Sequence, residues 1–162
     1  MFQDRLLRIS VSTLFLVLVS TPLFAQEDVY KKRKEFMDAN YDALKAIKRA
    51  VEQKDYAAVT LKAKDIMSAM DKTLDHFPKG VTGEKSRAKP EIWEKWDEFS
   101  KRPLKVKEVA GALAKAAAAK DEAQVQVQFK ALGAESPFRS GACYECHKDF
   151  RTSPPRKEKS GG

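Results

Sequence analysis

Both cysteines of this chain and one of its two histidines fall within five consecutive positions, Cys143-Tyr144-Glu145-Cys146-His147. Four chemistries use such residues: a disulfide, a dithiol redox pair, a zinc site and covalent attachment of haem. In the last, the two thiols add across two vinyl groups to form thioethers, and the neighbouring imidazole binds the iron; Cys-x-x-Cys-His is the pattern that chemistry uses. On a helix the three side chains stand at i, i+3 and i+4, so one turn presents them all from one face. A structural zinc ion wants four ligands, and the chain supplies only Cys143, Cys146, His147 and the distant His76. A thioredoxin-like pair expects an α/β context. A local disulfide stays open as an alternative, but it leaves His147 without a role. One covalent haem c, held by Cys143 and Cys146 with His147 on the iron, accounts for all three residues.

The elements that must position this stretch read as helices. From Val29 to Val51, Met37, Tyr41, Leu44, Ile47 and Val51 recur at steps of three and four, the period of an amphipathic helix. Lys54-Asp55 interrupts the pattern, and Asp55 is placed to cap a second helix carrying Tyr56, Val59, Ala63, Met67, Met70 and Leu74 on one face. That helix is expected to end near His76, where an imidazolium would suit the helix dipole, because Phe77-Pro78-Lys79-Gly80 contains two breakers. Residues 77–89 form a polar loop. Pro90 suits the first turn of a third helix, which carries Ile92, Trp93, Trp96, Phe99, Val106, Val109 and Leu113 and is expected to kink or break at Pro103. Asp121 caps a fourth helix with Val125, Phe129 and Leu132. That helix is expected to break at Pro137, with helix resuming from about Gly141 to Arg151. No strand alternation competes, so the expected fold is all-α, an antiparallel four-helix bundle with haem attached near its C-terminus.

The chain opens with Arg5 and Arg8, an apolar run from Ile9 to Val19, and Ser-Thr-Pro-Leu-Phe-Ala before Gln26. This is the pattern of a signal peptide cut after Ala25, and the run is too short for a permanent membrane anchor. The expected organisation is a removed segment at 1–25, a cytochrome domain at 26–152 and a disordered, Pro-rich tail at 153–162, exported to a bacterial periplasm. The formal net charge of +8 favours acidic partner surfaces. Nucleic acid is not expected, because export separates the two and no aromatic-basic binding motif is present. Neither a catalytic triad, nor a carboxylate pair, nor a phosphate-binding glycine loop occurs, so an enzyme is not expected.

The chain resembles the class II c-type cytochromes, the cytochrome c′ family. The similarity rests on "CYECHKDFR" close to the C-terminus, "RKEFM" in the first helix and "PEIWEKWDEF" in the third. The resemblance implies a periplasmic four-helix bundle and assigns roles to further residues. Met37, four residues after Arg33, matches the position of the sixth iron ligand in the family's low-spin branch; Met67 and Met70 are its rivals, and an ordinary core methionine is the bland alternative. Trp93 and Phe99 are implied as haem-pocket residues, against simple core packing. Arg33 and Arg151 are implied to neutralise haem propionates or pack beside the proximal imidazole, against solvated helix charges. His/Met ligation implies an electron carrier. The alternatives are a high-spin protein binding nitric oxide or carbon monoxide at an open sixth position, and a haem-free helical interaction module. Relatives that pair through their first two helices make a homodimer compatible with the sequence. Pro103 and the "ESPFR" stretch depart from the family pattern.

Overall fold

The computed structural model describes residues 23–79, 81, 86–134 and 139–152, with the backbone alone for 23–26. The expected signal sequence up to residue 22, the break at Pro137 and the tail from residue 153 lie outside the described residues. Within them the chain is helical: α1 (Leu23–Glu52), α2 (Tyr56–Asp71), a 3-10 turn (Thr73–His76), α3 (Glu91–Glu94), α4 (Trp96–Ala118), α5 (Glu122–Leu132) and α6 (Gly141–Phe150). Helix α2 packs against both α1 and α4, α4 packs against α5 and α6, and α5 touches α1. With α5 and α6 together forming the fourth rod, this is a four-helix bundle.

Two hairpin turns of the same construction close one end. After α1, Lys54 takes a left-handed conformation at φ 55°, and the N–H groups of Lys54 and Asp55 bond the carbonyls of Val51 and Ala50. After α4, Lys120 does the same at φ 56°, with Lys120 and Asp121 bonded to Ala117 and Ala116. The paired bonds satisfy carbonyls that the helix end would otherwise leave open. Each following aspartate then caps the next helix: Asp55 accepts from the Ala58 N–H and Asp121 from the Gln124 N–H, both at 3.0 Å. A Lys54–Glu122 ion pair at 2.9 Å ties the two turns together.

The expected break at Pro103 does not occur. Helix α4 runs through Pro103, which is buried inside it, and the interruption falls at Lys95 instead, where φ −116° and ψ 44° separate α3 from α4. Packing of α4 against α2, α5 and α6 outweighs the loss of one backbone hydrogen bond at proline. The apolar stripe of α1 also needs a correction: Leu44, Ile47 and Val51 are buried, but Tyr41 is 42% exposed.

The core is split in two. Toward the hairpin turns lies an aliphatic cluster that includes Leu44, Ile47, Val59, Ile66, Leu113, Val125 and Leu132. Toward the other end lies an aromatic cluster of Phe77, Ile92, Phe99 and Phe150, with Met37, Leu74, Trp93 and Cys146 against it. Phe99 is its hub, with ring centroids 4.8 Å from Phe77 and 5.3 Å from Phe150 in edge-on geometry, an arrangement aromatic quadrupoles favour.

Candidate functional site

The start of α6 is set by two glycines. Gly133 ends α5 at φ 87° and Gly141 opens α6 at φ 79°. A Cβ at Gly133 would lie 2.4 Å from the Ser140 carbonyl oxygen, and one at Gly141 would lie 2.4 Å from the Gly133 nitrogen. Only glycine fits both the backbone conformation and this approach.

The far end of α6 is held by a strap, residues 86–89, which crosses it and pairs Ala88 with Arg151 in an isolated antiparallel bridge. The Lys89 N–H donates to Phe150 O at 3.1 Å, and the Thr152 N–H donates to Arg87 O at 2.8 Å. Side chains reinforce the link: Arg87 donates twice to Thr152 O, at 3.0 and 2.6 Å, and Lys89 Nζ donates to Asp149 O at 2.9 Å.

Between the two core clusters opens a cleft of about 390 Å³, walled by α1, α4, α6, the 3-10 region and the strap. Cys143, Cys146 and His147 line it from α6; Met37 and Leu44 line it from α1; Phe99 and Val106 line it from α4. Its size is that of a small-molecule or cofactor site. Burial, then the charges of Arg151 and Arg87, push the His147 imidazole down to about 4. The ring is therefore neutral at physiological pH, the form whose nitrogen lone pair binds a metal. Burial pushes the Cys143 thiol up to about 12 and the Cys146 thiol up to about 11. The two sulfurs are not bonded to each other. A redox dithiol needs the opposite shift, toward thiolate. A neutral imidazole, two thiols on one helical face and an apolar slot between two cores fit covalent haem.

The cleft gathers some of the sequence-predicted residues and leaves others out. Met37, Phe99, Arg33 and Arg151 line it with the motif residues; Trp93 does not. The Trp93 indole N–H instead donates to the carbonyls of Phe77 and Pro78, at 3.3 and 2.9 Å, on the outer side of the aromatic cluster. Met67 is also absent from the lining and packs over Gly111. Met70 does line it, with its sulfur accepting from the Thr73 hydroxyl at 3.8 Å. His76 lies off the cleft, stacked on Phe36 at 4.2 Å. Burial lowers its pKa, outweighing the opposing charge of Asp75, and Arg33 adds a smaller lowering effect, so its environment disfavours the imidazolium expected from the helix dipole. Arg33 is buried at 7% exposure. Its guanidinium donates to His76 O, Ser86 Oγ and Val81 O at 2.9, 3.0 and 3.4 Å and stacks 4.4 Å over Phe77. These bonds tie α1 to the loop one turn before Met37. Arg151 is the C-cap of α6, with extended backbone and its N–H on His147 O, so it leaves the helix rather than continuing the motif face.

Two cleft arginines carry no signal in the sequence. Arg87, on the strap, and Arg102, ion-paired with Asp149 and 5.9 Å over Phe150, both line the site. Their spacing to the motif is set by tertiary structure alone.

A helical bundle with this cleft and motif defines a haem c protein. Residues 28–151 match the sequence profile of the family described as Cytochrome C′. Over 122 residues the chain is 36% identical to a cytochrome c′ of Pararhodospirillum photometricum, covering 74% of this chain and 92% of that one. Over 150 residues it is 31% identical to a cytochrome c-556 of Agrobacterium fabrum, covering 91% and 96%. Its fold matches the nitric oxide complex of a mutant cytochrome c prime from Alcaligenes xylosoxidans with a TM-score of 0.67 at 21% identity, over 80% of this chain and 97% of that one. The chain belongs to the cytochrome c′ family. It carries covalent haem c, and its family comprises haem proteins that carry electrons or bind gases. The family is periplasmic, and among the described residues no helix is long and apolar enough to cross a membrane.

Proposed function

We propose that this protein carries single electrons in the periplasm, with His147 as proximal and Met37 as distal ligand to the haem iron. One observation supports the distal assignment above others: Met37 lines the cleft that also receives Cys143, Cys146 and His147, and it packs against the same aromatic cluster as Cys146. Bound haem supplies the one-electron couple. The chain's residues do the rest. Cys143 and Cys146 anchor it, His147 offers a neutral nitrogen, and Phe99 and Phe150 keep water from one wall. A fixed ligand pair leaves no position for substrate and limits reorganisation when charge changes. Export by cleavage after Ala25, docking to acidic redox partners through the basic surface, and a homodimer of the kind common in the family belong to this proposal.

The test is the optical spectrum of the purified protein. Met37 ligation gives a low-spin ferric spectrum with a methionine-to-iron charge-transfer band, and Met37→Ala converts it to high spin. A wild-type ferric protein that is already high-spin refutes the assignment. A second proposal is an open sixth position that takes nitric oxide or carbon monoxide, supported by the family name and by the nitric oxide complex of the structural neighbour. Rapid, tight gas binding to the reduced protein would favour it.

A further inference from the structure

Arg87 is fixed at both ends of the residue. Its carbonyl accepts the Thr152 N–H at 2.8 Å, and its side chain returns two hydrogen bonds to the Thr152 carbonyl, at 3.0 and 2.6 Å. A guanidinium held through two of its donors loses the freedom to swing into solvent. The residue is half-buried and lines the cleft beside His147 and Arg151. Three further cleft cations are engaged elsewhere: Arg33 on the carbonyls of α1's neighbouring loop, Lys34 on Asp38, and Arg102 on Asp149. The remaining strap cation, Lys89, points to the carbonyls of Asp149 and Lys148 and does not line the cleft.

We infer that Arg87 is an electrostatic positioning residue of the haem site: the strap holds its charge against the proximal side of the cleft, where it favours the ferrous over the ferric state. The ferric centre carries one more positive charge than the ferrous, so a fixed cation nearby raises the reduction potential. Arg87 acts whichever residue fills the sixth position, so it stands or falls separately from Met37 ligation.

The experiment is a spectroelectrochemical titration of the haem-loaded, full-length protein at low ionic strength. A unit charge some 10 Å from a redox centre, at an effective dielectric of about 20 to 40, shifts the equilibrium by about four- to fifteen-fold. Arg87→Gln is therefore expected to lower the ferrous-to-ferric ratio at fixed potential about five- to tenfold, where tenfold reads as about 59 mV for one electron. Arg87→Lys keeps the charge and is expected to retain most of the potential. Lys89→Gln removes a cation from the same strap but not from the cleft, and is expected to shift the ratio by less than about twofold. Thermal melts of each variant confirm an intact fold, and Arg87→Met serves as the second neutral variant if Arg87→Gln fails to load haem. An unchanged potential in the neutral variants overturns the inference. So does an equal fall in Arg87→Lys, or a shift in Lys89→Gln as large as that of Arg87→Gln.

Discussion

The contact between Gly133 and Gly141 permits a sharp test, because it joins the end of α5 to the start of the helix that carries Cys143. Alanine at Gly133 faces two costs. Its φ of 87° lies in the left-handed region, which costs an L-residue roughly 1–2 kcal/mol. Its Cβ would also stand 2.4 Å from the Ser140 carbonyl oxygen, and backbone atoms cannot step aside by rotating a side chain. Relieving that overlap costs about as much as other overpacking, roughly 1–3 kcal/mol. The sum is about 2–5 kcal/mol, enough to lower the melting temperature of a domain this size by roughly 10–20 °C. Gly141→Ala meets the Gly133 nitrogen at 2.4 Å and is expected to cost as much. Once one alanine has forced the segments apart, the second meets less resistance, so the double variant is expected to fall short of the additive loss by about 0.5–3 kcal/mol. Thermal unfolding of the four haem-loaded proteins, followed by circular dichroism, reads all three quantities. Single variants within about 2 °C of wild type, or strict additivity, would refute the reasoning.

Other substitutions test the hairpin end and the role of His76. Lys54→Gly and Lys120→Gly each relieve a left-handed lysine and are expected to stabilise the folded protein by about 0.5–1 kcal/mol; denaturant titration would show a higher midpoint, and loss of stability in both would count against it. Asp55→Ala and Asp121→Ala remove the N-caps of α2 and α5 and are expected to cost about 1 kcal/mol each in the same assay. His76, whose pKa is lowered chiefly by burial against the opposing charge of Asp75, binds its proton more readily in the unfolded chain than in the folded one. Stability from this group is thus full above the ordinary histidine value of 6.5 and is lost as pH falls through it. His76→Gln is expected to flatten the stability profile between about pH 7 and pH 5.5; a profile parallel to wild type would contradict this.

Much of the site was legible because its chemistry is local. Cys143, Cys146 and His147 share one helical turn, and Asp55 and Asp121 announce themselves as caps by standing before apolar periodicity. What the sequence could not show depends on contacts between distant segments. Arg87 sits in a polar loop, where arginine reads as a solvated charge, and only the Ala88–Arg151 bridge turns it toward the cleft. Trp93 is in the expected segment, yet hydrogen bonds to Phe77 and Pro78 draw its indole to the outside of the aromatic cluster. Tyr41 follows the helical period, but the cleft removes the neighbours that would have buried it. Pro103 signals a break locally, while packing on α4 keeps the helix whole.

The division of the core has a consequence for the order in which the molecule is assembled. The hairpin end is closed by local turns, capped helices and an aliphatic cluster, all of which can form from the polypeptide alone. The cleft end draws its walls from α1 and α6, the first and last helices among the described residues, and haem must fill the slot between them. A nascent chain is therefore expected to finish one half early and leave the other loosely gathered around Cys143 and Cys146. The half that waits is the half the porphyrin must enter, so incomplete packing there keeps both sulfurs within reach until the thioethers form.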